Sequence, residues 1–323
     1  MLSRTLRSTL SLTELGMGAA QLGNLFRETS DEEASAAVDA AWDAGIRYFD
    51  TAPHYGVGLS ERRLGAALST RPRDEFVLST KVGRLLVPSG YPEGTMDEEG
   101  FIVPATLRRE WDLSRDGIRR SLFESLERLG LDRIDIAYLH DPDERGDQAN
   151  AEAIPALIEL RDEGVLRAVG AGMNQSAMPA EFVRRHDVDV IMLAGRYTLL
   201  EQGALDDLLP VAEARGVGIV AAAVYNSGLL ATPRPPADAH YDYAQAPADL
   251  LAHANALADV CEEFGITLPE AAIAFPLRHP AVVSVVVGLR TAAQVAGTVA
   301  RYEAVIPEEF WNALTERGLV RRA

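Results

Sequence analysis

The chain has 323 residues, 47% hydrophobic and 24% charged, enough apolar material for a full core and unlike the composition of disordered chains. Its 48 acidic against 31 basic residues give a formal net charge of −17, which disfavours nucleic acid and anionic membrane as partners and means that any anionic ligand must be held by local donors. No apolar run approaches the roughly 20 residues of a membrane span, the N-terminus lacks the apolar core of a signal peptide, and the lone Cys261 leaves no internal disulfide, so a buried structural thiol in a cytoplasmic protein is expected.

Strand-like apolar runs alternate with helical patterns along the chain. A first strand is expected within 12–18 and a helix at 31–45; the pairs that follow are 47–50 with 60–68, 76–81 with 114–130, and 133–140 with 150–164. The remaining pairs are 165–172 with 177–186, 188–195 with 203–216, 217–224 with 248–265, and 282–288 with 291–303. Gly45, Gly130, Gly164, Gly216 and Gly265 stand where helices end on a left-handed residue, and Ser114 opens its helix as an N-cap. Eight strand–helix units with nearly unbroken apolar strands predict a (β/α)₈ TIM barrel with long carboxyl-face loops, residues 1–323 forming a single domain. Two connections, 84–112 and 225–247, exceed the barrel minimum; both follow strands and are read as lids on the carboxyl face, where barrel active sites lie. The doubly wound alternative lacks its fingerprint: neither Gly16-Met-Gly18 nor Gly56-Val-Gly58 carries the third glycine or a following acid in context.

Three apolar strands end in polar groups: RYF in Asp50, FVLST in Lys81 and IAYL in His140, with Tyr55 five residues past Asp50. Taken singly, Asp50 reads as a cap, Lys81 as a solvent-facing strand end, His140 as a turn former and Tyr55 as a packed aromatic. Jointly they predict a catalytic rim. A phenol titrating near 10 is a poor proton relay at neutral pH; a neighbouring lysine cation favours its phenolate, a buried aspartate keeps that lysine charged and aimed, and a neutral imidazole hydrogen-bonds the reacting oxygen.

YFDTAPHYGVGLSERRLGAAL, then LSTKVG, then SLERLGLDRIDIAYLHD together resemble the aldo-keto reductases over nearly the whole chain. The resemblance implies a catalytic tetrad of Asp50, Tyr55, Lys81 and His140, and NAD or NADP held extended across the carboxyl face without a Rossmann domain. It further implies that Asn174 reaches the nicotinamide carboxamide, with Met173 a departure from the family's serine; Ala194 stands where many members carry glutamine. Tyr225 would stack under the nicotinamide, and the backbone of Asn226, Ser227, Gly228 and Leu229 would cradle the pyrophosphate, although NSG is also an ordinary turn. Where NADP-specific relatives carry lysine and arginine stand Gly288 and Gln294, leaving Arg290 as the nearby cation and favouring NAD. Segments LLVPSG, DGIRRSLFESLERLGLDRID, HDPD and AGRYTLL resemble the bacterial aldose dehydrogenases of the family, which oxidise C1 of L-fucose-type sugars to a lactone; pyridoxal dehydrogenases share much of this pattern.

His54, Trp111 and Arg196 are candidate substrate-wall residues for a sugar or aldehyde, Trp111 equally a packing residue of the third helix. Competing readings are a general aldehyde or ketone reductase and a cofactor-sensing binding subunit. A metal hydrolase using His54, His140, Asp141 and Asp143 has no His-x-His at a strand end, so no metal is expected. A Schiff-base aldolase would need Lys81 with a lowered pKa, which Asp50 opposes. The sequence leaves oligomeric state and reaction direction open.

Overall fold

The computed structural model describes residues 1–236, 238–241 and 244–322. Eight parallel strands close into a barrel: β1 Leu15–Gly18, β2 Tyr48–Asp50, β3 Val77–Val82, β4 Ile136–His140, β5 Ala168–Met173, β6 Val190–Ala194, β7 Gly218–Ala222 and β8 Val282–Gly288. They follow one another in chain order, β8 pairing with β1 to seal the ring. Because strand side chains alternate faces, each strand feeds two cores. Phe49, Leu78, Leu139, Ala171 and Leu193 face the helices, while Tyr48, Val77, Ile136, Tyr138, Val190, Met192 and Val220 fill the barrel.

The helices are α1 Asp31–Asp43, α2 Leu59–Leu68, α3 Arg115–Leu129, α4 Ile154–Asp162, α5 Ala177–Arg185, α6 Leu208–Arg215, α7 Ala248–Glu263, α8 Leu268–Ala274, α9 Ala292–Tyr302 and α10 Glu308–Glu316. The five glycines singled out above all adopt positive φ, and Ser114 Oγ accepts the Gly117 amide at 3.1 Å. Two helices were not anticipated, α8 between β7 and β8 and the C-terminal α10; the latter buries Phe310, Trp311 and Leu314. A π-helical run, Ala149–Ala153, leads into α4.

The expected strand 12–18 is two elements. Ser11–Thr13 pairs antiparallel with Ser3–Thr5, and only Leu15–Gly18 enters the barrel. The split has a packing reason: the hairpin delivers Leu6, Leu10 and Leu12 to the barrel's interior cluster as a plug. Gly218 permits that approach, since a Cβ there would lie 2.3 Å from Leu6 Cδ2. Gly16 and Gly18 lie within β1 and form no phosphate turn.

Both long connections leave carboxyl ends of strands. The first carries an antiparallel hairpin, Arg84–Pro88 with Leu107–Trp111. In the second, His240–Tyr241 pairs with Ala244–Gln245, and positions 237, 242 and 243 of that connection lie outside the described residues. Cys261 is a free, buried thiol whose burial pushes its pKa up to about 12.

Candidate active site

The register of β2, β3 and β4 builds two layers inside the barrel. Asp50 pairs with Ser79 and Lys81 with Tyr138, so the inward positions stack as Tyr48, Ser79 and Tyr138 below Asp50, Lys81 and His140. The lower layer is a buried hydroxyl chain. Tyr138 and Tyr48 share a 3.0 Å hydrogen bond, Tyr48 Oη lies 3.1 Å from Ser79 Oγ, and Ser79 Oγ donates to Asp50 Oδ1 at 2.7 Å. Burial holds both phenols above their ordinary range, so they remain neutral hydrogen-bonding groups.

In the upper layer Lys81 Nζ donates to Asp50 Oδ2 at 2.6 Å and to the Thr51 carbonyl at 3.0 Å. Its Nζ lies 4.9 Å from the centre of the Tyr55 ring. Burial disfavours the ammonium, but Asp50 and Tyr55 outweigh it and raise Lys81 above the ordinary lysine value. Lys81 is therefore a fixed cation, the opposite of a Schiff-base nucleophile. For Tyr55 burial dominates and raises the phenol, with Lys81 pulling it back; the expected phenolate-favouring effect of the lysine is present but outweighed. The Tyr55 ring is set 6.0 Å from that of His140. Burial, then Arg84 and Lys81, hold His140 well below the usual histidine range, a neutral imidazole.

Local backbone contacts fix Tyr55. Gly56, at φ +62, abuts Gly23 so closely that a Cβ would lie 2.3 Å from the Gly23 carbonyl oxygen. Glu61 on α2, fully buried, accepts from Thr80 Oγ1 at 2.8 Å and from Arg128 Nε at 2.6 Å, tying β3 beside Lys81 to α2 and α3.

The first lid walls the site. Phe101 packs 6.0 Å from the Tyr55 ring and 5.4 Å from the His54 ring, and the His54 ring lies 5.5 Å from that of His140. Trp111 ends the lid hairpin, with the guanidinium of Arg84 4.5 Å over its ring and that of Arg145 at 5.2 Å. One wall residue, Arg84, escaped the sequence reading, which weighs Asp141 only as a metal ligand. Arg84 begins the hairpin and Asp141 directly follows His140; the signals were a charge just before the LLVPSG run and an acid in HDPD. Arg84 Nη1 is 3.2 Å from His54 Nδ1. Burial raises Asp141 to about 6, against the lowering pull of Arg84. Arg196 is elsewhere: it donates to the Asn174 carbonyl at 2.9 Å and to Tyr241 Oη at 2.7 Å, joining β5's end to the second connection.

These buried imidazoles make stability pH-dependent. His54 is lowered to about 3 by burial, then by Arg109 and Arg84. Below pH 6.5 the unfolded chain protonates His54 and His140 while the folded chain does not, so stability falls with acidification. Asp141 opposes this between about pH 6 and 4, because its proton binds first in the folded state. The net expectation is a loss of about 2 kcal/mol from pH 7 to pH 5. Urea midpoints measure it; equal stability at the two values would show an imidazole protonating inside the fold.

Around the rest of the mouth, Gly172 near the end of β5 and Ala194 and Ala222 at the ends of β6 and β7 are small residues, and Gly288 ends β8 exposed. Gln21 Oε1 and Asn226 Oδ1 are buried without a hydrogen-bond partner. They follow β1 and β7, the strands on either side of β8, so acceptors for amide or hydroxyl donors flank the Gly288 end, and a nicotinamide dinucleotide fits this side of the rim. Asn174 is exposed there, whereas Met173 points into the helical layer. Among the described residues no group of three His, Cys, Asp or Glu is placed to hold a metal, and no helix is long and apolar enough to cross a membrane.

Three expected cofactor contacts are placed otherwise. Tyr225 packs against the helical layer and its hydroxyl accepts from Arg301 Nη1 of α9 at 3.1 Å; Ala223, at φ +52, turns the chain outward after β7, leaving Ala222 on the barrel interior. The amides of Asn226, Gly228 and Leu229 donate to the carbonyls of Ala223, Tyr225 and Asn226, closing the turn on itself where a phosphate nest was expected. Arg290 is buried and donates to the Leu25 and Arg27 carbonyls and to Thr29 Oγ1, stapling the loop after β1 to the end of β8. Its guanidinium is thus engaged as a structural tie. Gln294 Oε1 accepts the Arg290 amide at 2.9 Å.

A closed barrel with a tyrosine, lysine, aspartate and histidine converging on its carboxyl rim defines a class of oxidoreductase, and the chain belongs to the aldo/keto reductase family, whose model matches residues 14–318. It is 53% identical to the D-threo-aldose 1-dehydrogenase of a Pseudomonas species over 315 residues, 96% of this chain and 95% of that one. It is 40% identical to the pyridoxal 4-dehydrogenase of Microbacterium luteolum, covering 97% and 96% of the two chains. The holo form of an aldo-keto reductase from Bacillus halodurans superimposes with a TM-score of 0.79 at 29% identity, over 100% of this chain and 97% of that one. The family implies a nicotinamide cofactor.

Proposed function

We propose that this enzyme is an aldose 1-dehydrogenase, oxidising C1 of an L-fucose-type sugar to the lactone. The observation that carries the chemistry is the buried Lys81–Asp50 pair beneath Tyr55, 2.6 Å long and shielded from solvent. The likeness to a D-threo-aldose 1-dehydrogenase across 96% of the chain supports the sugar. Asp50, Tyr55, Lys81 and His140 are the catalytic groups in this reading. Neutral His140 donates a hydrogen bond to the anomeric oxygen and orients it; the unprotonated form of Tyr55, which the Lys81 cation favours, takes the anomeric proton and becomes the neutral phenol. The nicotinamide, when bound, accepts the hydride from C1. Asn174, Gln21, Asn226 and Gly288 are the groups proposed to receive it. A sugar panel of L-fucose, D-arabinose, L-galactose and pyridoxal, each with NAD and NADP, tests the reading by absorbance. At least one aldose should exceed pyridoxal tenfold in kcat/KM; the reverse order would favour the second reading, a pyridoxal dehydrogenase, which the 40% identical relative supports.

NAD is the proposed cofactor. Gly288 and Gln294 carry no charge, and the Arg290 guanidinium is already engaged by the Leu25 and Arg27 carbonyls and Thr29 Oγ1, so a 2′-phosphate gains little charge-assisted pairing at these positions. A partly exposed, charge-assisted ion pair with phosphate is worth about 1–1.5 kcal/mol, so Gln294→Arg should raise the NADP-to-NAD ratio of kcat/KM about tenfold, corresponding to roughly 1.4 kcal/mol. A hundredfold preference of the wild type for NADP would refute the assignment. A cytoplasmic location and action on free sugar, without nucleic acid or membrane, complete the proposal.

A further inference from the structure

Resting on the aldose reading, we propose that Arg84 and Asp141 form a recognition pair for the hydroxyl on the carbon next to the reacting one, making the enzyme selective for 2-hydroxy aldehydes and their cyclic hemiacetals.

The argument starts from His140. Its Nε2 lies 3.5 Å from Asp141 Oδ2, so a carboxylate oxygen stands beside a nitrogen that can serve the reacting oxygen. On a sugar, the oxygen one carbon away from C1 sits within about a hydrogen-bond length of the C1 oxygen, which brings it to this carboxylate. Arg84 completes the pair from the other side: its Nη2 is 3.9 Å from Asp141 Oδ2, beyond a direct hydrogen bond and open to a bridging hydroxyl. A hydroxyl both donates and accepts, so one oxygen can donate to Asp141 while accepting from Arg84.

The pair is held for this purpose by its surroundings. Gly83, at φ +105, turns the chain so that Arg84 leaves β3 toward the site. The guanidinium then lies 4.5 Å from the centre of the Trp111 ring, and its Nε is buried with no hydrogen-bond partner. Asp141 is a non-glycine residue at φ +41, its amide bonded to the Gly172 carbonyl at 3.0 Å. Strained backbone of this kind persists only where surrounding structure imposes it, and such residues cluster at ligand sites. A buried donor left short of partners is costly, so a ligand lacking the hydroxyl leaves the Arg84 guanidinium incompletely bonded, and sites built to bond a substrate hydroxyl discriminate strongly against its absence.

The test compares each aldose with its 2-deoxy counterpart: L-fucose with 2-deoxy-L-fucose, and D-arabinose with 2-deoxy-D-erythro-pentose. Wild-type enzyme should prefer the 2-hydroxy sugar by about a hundredfold or more in kcat/KM. In Asp141→Ala and Arg84→Met that ratio should fall below about tenfold, the 2-hydroxy sugar losing at least about tenfold more kcat/KM than the deoxy sugar; Asp141→Asn, which keeps an acceptor, should retain part of the ratio. A wild-type ratio near one overturns the pair without touching the aldose reading. So does an equal loss on both sugars in the variants, which marks a structural role. Absence of turnover on every aldose removes the aldose reading itself, and this inference with it.

Discussion

Tyr55→Phe is expected to lower kcat by about 10²- to 10⁴-fold, the range a positioned general acid–base group contributes. The substitution removes one oxygen from a ring otherwise held by Phe101 and by the Gly23–Gly56 backbone contact, so the wall and the mouth persist. Cofactor affinity should change little, because the groups assigned to the nucleotide follow β1, β5, β7 and β8. The measurement is steady-state kcat together with NAD affinity from fluorescence titration. A variant keeping more than about a tenth of wild-type kcat would take Tyr55 out of the proton transfer.

Lys81→Met should do more, acting on both chemistry and stability. Burial and Asp50 raise the Tyr55 phenol while Lys81 lowers it. Without the cation the phenol titrates higher still, and oxidation needs its unprotonated form. The rising limb of kcat/KM for sugar oxidation should therefore move to higher pH, with activity at neutral pH largely lost. The same change strands Asp50, buried at the strand end with Ser79 as its remaining side-chain donor. Removing one partner of a buried ion pair typically costs about 3–5 kcal/mol, to be read in urea unfolding. Asp50→Asn combined with Lys81→Met should recover much of that stability and none of the activity, which separates the two effects. An unshifted pH profile in Lys81→Met would mean the lysine does not govern the phenol. A borohydride-trapped adduct on wild-type Lys81 would instead point to aldolase chemistry.

Much of this protein was legible in its residues. Eight apolar strands alternating with glycine-closed helices point to a parallel sheet covered on both faces, and the missing dinucleotide-turn glycines turn the choice from an open doubly wound sheet to the closed barrel. Asp50, Lys81 and His140 stand out as polar groups ending apolar runs, and a strand's period of two puts all three on the inside of the rim. What tertiary structure decided are matters of register and loop direction. That Ser79, Tyr48 and Tyr138 form a hydroxyl chain under Asp50 depends on the pairing of Asp50 with Ser79 and of Lys81 with Tyr138. In sequence those hydroxyls look like ordinary core residues. Arg290 read as a phosphate ligand, yet carbonyls from residues 25 and 27 claim it, a contact across more than 260 positions that no local pattern encodes. Tyr225 read as a stacking aromatic until the left-handed Ala223 turned it onto α9. Arg84 and Asp141 meet only because a hairpin after β3 folds back toward the residue after β4. Periodicity fixes which face of a strand a residue occupies, whereas loop backbone angles and strand register, set by packing of the whole barrel, decide what it meets there.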